Sequence, residues 1–512
     1  MIDLMVNGFV SIWTPSTLFL MVFGVVIGIL FGALPGITIG LAVTLGLTLS
    51  FGMDSNTAFA LMLSLYIGGV SGGLISAILL NIPGTANSFA TTWDGHPMAM
   101  KGEAGKALGT GIFFSFFGTL VGIAVMMFLS ITVSSLAIKL KPFDFFALCL
   151  FALSLAASLT GRSFAKGLVA CAIGLSLGLI GVAPIDGFSR FTFGFTQLTS
   201  GFDIVPAIVG LFAIPEVLKA GNALAKDVKR LGDGRIKGFG FSLKEFFGQT
   251  KNFLVSSVIG IVIGILPGIG GSISNLLAYG AVKNISKYPE KFGTGIMDGV
   301  VATETANNAT IGGTMIPLLS LGIPGDGTTA LLLGALMVHG LTPGPLLMKT
   351  HPDFLYVIFA SMIVASVMTV IIEYFGLKIF VKLLNIPKYF LLPTVFVFCV
   401  VGAFTVNNRI FDMFSLLIFG CIGIILSRCG YPHAPCILGF ILGRLVETYL
   451  RTGLMMTRGS FWQFFTSPVA AVMMILTVLL FAYQCFRNIR KWGLNRKAIV
   501  QEKKLMRIAE DG

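Results

Sequence analysis

Charge is what this 512-residue chain has least of: Asp, Glu, Lys and Arg make up 11% of it, and no Lys or Arg precedes Lys101. A water-soluble domain carries about 25% charged residues. A soluble globular class is therefore excluded, and the 55% hydrophobic content points to a membrane protein. Strand-like alternation is also missing, which argues against a membrane β-barrel. None of the seven cysteines forms a Cys-x-x-Cys pair. They lie within or at the ends of apolar segments and read as small packing residues, not disulfides or metal ligands. His96, His339, His351 and His433 lack metal-ligand spacing, so no metal site is expected. No Walker motif occurs, so the chain is not expected to hydrolyse ATP. An intramembrane aspartyl protease would need Gly-x-Gly-Asp and a Tyr-Asp pair. Gly322 to Asp326 reads GIPGD, with Ile323 where glycine is required, and no Tyr-Asp pair exists. No catalytic residue and no cofactor is expected, and the chain is not read as an enzyme. The start lacks the basic region of a signal peptide, so the first apolar segment is expected to stay.

What is present is a series of apolar stretches, about a dozen, each near the ~20 residues that cross a bilayer as a helix. The net charge of +13 is concentrated: residues 219–251 hold eight bases and residues 487–512 eight more, together 16 of 35. That clustering follows the positive-inside rule and suits contact with anionic lipid. No stacking platform accompanies it, so nucleic-acid binding is not expected.

Two motifs occur twice in the same order. GILFGALPGITIG (Gly28 to Gly40) aligns with GIVIGILPGIGGS (Gly260 to Ser272), and SGGLISAILLNIPGTANS (Ser71 to Ser88) aligns with GGTMIPLLSLGIPGDGTT (Gly312 to Thr329). This indicates duplication: a first repeat in residues 1–218, a basic cytoplasmic loop 219–251, a second repeat with a terminal span in 252–486, and a basic cytoplasmic tail 487–512. Asp3 and Asp54 flank the first Leu-Pro-Gly segment, whereas Lys283, Lys287, Lys291 and the basic loop flank the second. Each such segment is expected to be a helical hairpin, the first opening outside and the second inside. The fold class expected is thus all-α polytopic, with two inverted repeats, each holding an LPG-tipped hairpin and a broken IPG helix. The N-terminus falls outside and the C-terminus in the cytoplasm. Lys139 and Lys141 fall on the wrong side of this scheme.

Four helix breaks centre on Pro35, Pro83, Pro267 and Pro324. Proline removes a backbone donor, and the freed groups cost several kcal/mol each in lipid unless they face protein or a wet cavity. Helix-end amides carry partial positive charge and bind carboxylates without a buried base. The expected substrate site uses Gly36, Gly84, Gly268 and Gly325, with side chains of Asn81, Thr85, Asn87, Asn308 and Thr328. Thr91 and Thr92 add hydroxyls after the break. Thr38, Ser272, Glu304 and Asn307 are the ion-coupling candidates, since hydroxyl and amide oxygens beside unwound backbone hold Na⁺; H⁺ is the alternative ion. Gly84→Val is expected to obstruct the ligand without harming insertion. Arg444 and Glu447, three apart, are expected to neutralise each other within one helix.

The stretches GALPG, YIGGVSGGLISAILLNIPGTANSFATTWDGHPMAMKGEAGKALG, GILPGIGG and ETANNATIGGTMIPLLSLGIPGDGTTALLLGALMVHGLTPGP closely resemble the large membrane subunit of bacterial tripartite tricarboxylate transporters, over nearly the whole chain. One departure is Thr303, where the family usually has proline. The resemblance implies secondary, ion-coupled uptake of a di- or tricarboxylate or related organic acid across the bacterial inner membrane. It also implies two partners: a periplasmic solute-binding protein and a small membrane subunit of about four helices. A channel, or a binding-protein-independent carrier for small organic anions, is the alternative.

Overall fold

The computed structural model describes residues 2–34, 37–159, 163–222, 240–268, 270–383, 388–484 and 486–487. Pro35, Gly36, most of the basic loop and nearly all of the basic tail lie outside the described residues.

The first half runs α1 (Ile2–Ile12), α2 (Pro15–Ala33), α3 (Ile39–Leu49), α4 (Ser55–Leu80), α5 (Thr91–Met98), α6 (Ala104–Ala137), α7 (Pro142–Leu159), α8 (Phe164–Gly178) and α9 (Ile204–Asn222). The second runs α10 (Leu243–Gly248), α11 (Thr250–Ile265), α12 (Gly271–Ile285), α13 (Met297–Leu321), α14 (Gly327–Val338), α15 (Leu347–Thr350), α16 (Pro352–Leu383), α17 (Lys388–Asn407), α18 (Ile410–Cys429), α19 (His433–Met456), α20 (Gln463–Thr466) and α21 (Pro468–Gln484). A single two-residue β-ladder, Gly181–Val182 with Ser189–Arg190, interrupts the helices of the described residues. The fold is that of a helical, polytopic membrane protein.

Five described helical stretches are long and apolar enough to cross a bilayer: Pro15–Ala33, Ser55–Leu80, Thr91–Ala137, Pro352–Leu377 and Ile410–Arg428. That is fewer full spans than the sequence suggests, because several of its apolar stretches form shorter helices, among them α1, α3, α8, α11 and α14 with 11–16 residues each. The shortening has local causes. Leu34 and Leu266, which precede proline, leave the helical region with ψ of 110° and 116° and end α2 and α11. Asn81 and Gly322 end α4 and α13 in left-handed conformation, each before an Ile-Pro-Gly. Asp54 starts α4 by accepting from the Thr57 amide at 3.0 Å.

Helices α4 and α13 form the centre. Ala58 to Leu79 and Gly299 to Ser320 are buried without interruption, as expected of helices covered on every side. α2 packs on α4 and α11 on α13, while α6 lies along α13 and α16 along α4. Close backbone approach is built from glycine at matching positions in the two halves. A Cβ on Gly32 would lie 2.2 Å from the Gly69 carbonyl oxygen, and one on Gly264 2.8 Å from that of Thr310. The same holds for Gly72 against Ile29, at 2.4 Å, and Gly313 against Ile261, at 2.6 Å. These small-residue contacts let helices approach where the hydrophobic effect gives no driving force.

One expected ion pair is different. Glu447 accepts two bonds from Arg190, at 2.7 and 2.8 Å, and one from Arg451, at 3.1 Å. Arg444 instead donates to the Gly178 carbonyl at 3.1 Å. A bidentate partner from the loop beyond α8 outcompetes the residue one turn away.

Candidate functional site

The helix breaks of the two halves meet. The chain after the first Ile-Pro-Gly forms a 3₁₀ turn, Ala86–Ser88, capped by Thr85, and Asn87 projects from it towards the start of α12. A Cβ on Gly271 would lie 2.6 Å from Asn87 Nδ2 and 2.9 Å from Asn307 Oδ1. Only glycine leaves room there for both side chains. The Asn275 amide donates to the Asn87 carbonyl, and Asn307 Nδ2 reaches the Val70 carbonyl of α4 at 3.5 Å. Asn307 Oδ1 and Asn275 Oδ1 are buried without a protein partner. An amide donor, the amino end of α12 and two unused acceptor oxygens therefore converge. Buried polar atoms of this kind cost about 1–3 kcal/mol each when unpaired, so the arrangement suits a polar ligand or water.

In the second half the two breaks touch directly. The Gly268 amide donates to the Gly325 carbonyl at 2.7 Å, with Gly268 at φ +83°. That amide is occupied and not open to an anion in this conformation, contrary to the role expected of it. Gly325 packs on Thr314 and Gly264. Gly84 is likewise a packing position: a Cβ there would lie 2.1 Å from the Gly32 carbonyl oxygen and 2.6 Å from Ser76 Oγ. Pro267 and Pro324 are buried and Pro83 is half-buried. Thr38 caps α3 without a side-chain bond, and Ser272 and Thr328 are half-buried in the first turns of α12 and α14. Asn81 is exposed in its left-handed cap. Gly36 and Pro35 lie outside the described residues.

A second polar cluster surrounds Glu304, which is fully buried in mid-helix. Thr91 Oγ1 donates to its Oε1 at 2.5 Å and Ser115 Oγ to its Oε2 at 3.2 Å. Asn308 donates to Ser115 Oγ at 2.8 Å and to the Glu304 carbonyl at 3.0 Å. Asn308 therefore braces α13 against α6. Thr303, at the departure from the family pattern, places its Oγ1 3.0 Å from that of Thr91. Sequence reasoning passed over Glu373 of α16, a lone acid in a long apolar stretch that a scan for intramembrane charge would have found. Ser115, Gly271 and Asn275 were also missed, since no local pattern distinguishes them from packing residues.

The profile of the tripartite tricarboxylate transporter TctA family matches residues 18–438. A 52.8 kDa protein of Agrobacterium vitis, described only as uncharacterized and lying in the TAR-I ttuC' 3' region, is 34% identical over 474 residues, covering 92% of this chain and 94% of its own. A second uncharacterized protein of that organism, from the TAR-II ttuC' 3' region, is 39% identical over 212 residues, covering 41% of this chain and 88% of its own. No solved structure matches.

Proposed function

Because the chain belongs to the tripartite tricarboxylate transporter TctA family, we propose that it is the large transport subunit of a binding-protein-dependent uptake system. Its cargo is a di- or tricarboxylate or related organic acid, driven across the inner membrane by a coupled ion. A periplasmic solute-binding protein delivers the substrate, and a small membrane subunit of about four helices completes the complex. The observation that carries this reading is the meeting of Asn87, Gly271 and Asn307, where the break of one half faces the hairpin of the other across buried, unused polar atoms. Carriers built from broken helices bind substrate at such a junction. The matching glycine contacts of the two halves support a repeat, and the acidic flanks of the first hairpin against the basic flanks of the second support its inversion, with the N-terminus periplasmic and the tail cytoplasmic.

The carboxylate meets the first turn of α12 and the Asn87 amide, while acceptor oxygens of Asn307 and Asn275 take a hydroxyl or water. The coupling ion, for which Na⁺ is the hard cation that fits, is held among buried oxygens of the central helices. Helix ends serve better than a buried base here, because a fixed cation would retard release of a multivalent anion. The test is uptake of candidate carboxylates into proteoliposomes, with and without the binding protein, under separately imposed Na⁺ and H⁺ gradients. Accumulation that needs the binding protein and one gradient is expected. Passive, binding-protein-independent equilibration would replace the carrier by a channel.

A further inference from the structure

Helices α4, α6, α13 and α16 line a small, partly open cavity whose walls combine Ile67, Ile112, Phe116 and Val370 with a set of oxygens. The hydroxyls along it have committed their protons elsewhere. Ser366 donates to the Met362 carbonyl at 2.7 Å, Thr369 to Ala365 at 2.8 Å, and Thr119 to Ser115 at 2.9 Å. Each is a bond to the helix's own backbone one turn back, which leaves oxygen lone pairs as the free part of the group. Asn308 has likewise used its N–H groups on Ser115 and the Glu304 carbonyl. The cavity therefore offers acceptors and few donors. An anion is not suited to it and a cation is.

Charge agrees. Ser71 lines the cavity and donates to Oε2 of Glu373 at 2.8 Å; Glu373 is fully buried, and its Oε1 has no partner. Glu373 stands one turn beyond Thr369 on the face of α16 that carries Ser366 and Thr369. Among the described residues neither Glu373 nor Glu304 takes part in an ion pair. A buried carboxylate without compensation is expensive enough that it must be neutralised. Both oxygens of Glu304 are already bonded, by Thr91 and Ser115. The neutral oxygens of the cavity thus adjoin one carboxylate, held by Ser71 and with one oxygen unpartnered, a donor set for a singly charged hard cation and not for a divalent ion, which favours several carboxylates.

We propose that this cavity, lined by Ser71 and Thr369 and joined to Glu373 through Ser71, is a Na⁺ site. The proposal deepens the ion-coupled reading above and rests on it: one carboxylate on α16 and hydroxyls on α4 and α6 would tie the two halves together when the ion is bound.

The experiment follows thermal unfolding of the purified full chain as NaCl replaces choline chloride at constant ionic strength and fixed pH. The wild type is expected to show a saturable rise in unfolding temperature with Na⁺. Glu373→Gln, which keeps the shape and removes the charge, should abolish the rise. Thr369→Val, nearly isosteric, should raise the half-saturating Na⁺ concentration roughly tenfold, the low end of what loss of a supporting group costs a metal site. A wild-type Na⁺ response in Glu373→Gln overturns the proposal, as does a wild-type protein that responds to pH but not to Na⁺. Should Glu373→Gln fail to fold, an unchanged half-saturation in Thr369→Val overturns it. The readout needs no transport. A Na⁺ shift without uptake would defeat the carrier reading alone, and uptake without a Na⁺ shift would defeat this site alone.

Discussion

Gly84 and Asn308 separate two kinds of residue that look alike as candidates. In the sequence, Gly84 follows a proline in a repeated motif and suggests backbone approach to a ligand. In the structure the backbone it approaches is that of α2, with a Cβ position only 2.1 Å from the Gly32 carbonyl oxygen. Gly84→Val is therefore expected to overpack the α2–α4 contact at a cost of about 1–3 kcal/mol or more. Lower membrane yield and a lower unfolding temperature should follow, before any effect on transport can be assigned. Asn308→Leu keeps the volume and deletes the bonds to Ser115 and to the Glu304 carbonyl. It should cost roughly 1–3 kcal/mol and still insert, so thermal unfolding of the two variants side by side checks the distinction. A larger loss in Asn308→Leu than in Gly84→Val would reverse these roles. Glu304 was legible because an acid beside two asparagines in an apolar segment is costly unless used. Its actual partners, Thr91 and Ser115, come from other helices and left no local trace.

The ends of elements were read well where proline and glycine dictate them. α2, α4, α11 and α13 stop at Ala33, Leu80, Ile265 and Leu321, at the breaks the motifs mark. What the motifs do not announce is how a connecting loop is held. Asp94 of α5 is buried, and its Oδ1 accepts from the amides of Gly293, Gly295 and Ile296 at 2.9, 2.8 and 3.1 Å. Its Oδ2 accepts from Tyr279 of α12 at 2.9 Å. A single carboxylate from the first half thus fixes the loop between α12 and α13 in the second. The bonds are charge-assisted, the stronger kind. Asp94→Ala is expected to release residues 289–297, seen as faster amide hydrogen exchange at Gly293, Gly295 and Ile296 while α4 exchanges as before. Unchanged protection at those three amides would show that packing alone holds the loop.

At the scale of the molecule, the order of repeated motifs is the ground for the proposed duplication, but it does not say which half each helix packs against. α6 belongs to the first half and lies on α13 of the second, while α16 of the second lies on α4 of the first. This exchange depends on contacts between residues far apart in the chain, such as Gly118 against the Thr305 backbone, and no periodicity predicts it. The inverted repeat proposed above has the two hairpins open on opposite sides. Charge supports that: Asp54 caps α4 beside the first hairpin, and Lys287 follows α12 of the second. Both positions are at or near helix ends, where a substituted cysteine would be accessible. In a background freed of native thiols, among which Cys421 and Cys429 are exposed, Asp54→Cys should react with an impermeant maleimide added to intact cells. Lys287→Cys should react only after permeabilisation. Removing the Asp54 cap costs about 1 kcal/mol of helix stability, so Asn56→Cys, half-buried in the first turn of α4, provides a second outside probe that leaves the cap in place. Labelling of all three from one face would require parallel halves, and would place the Asn87–Gly271 contact between segments entering from the same side.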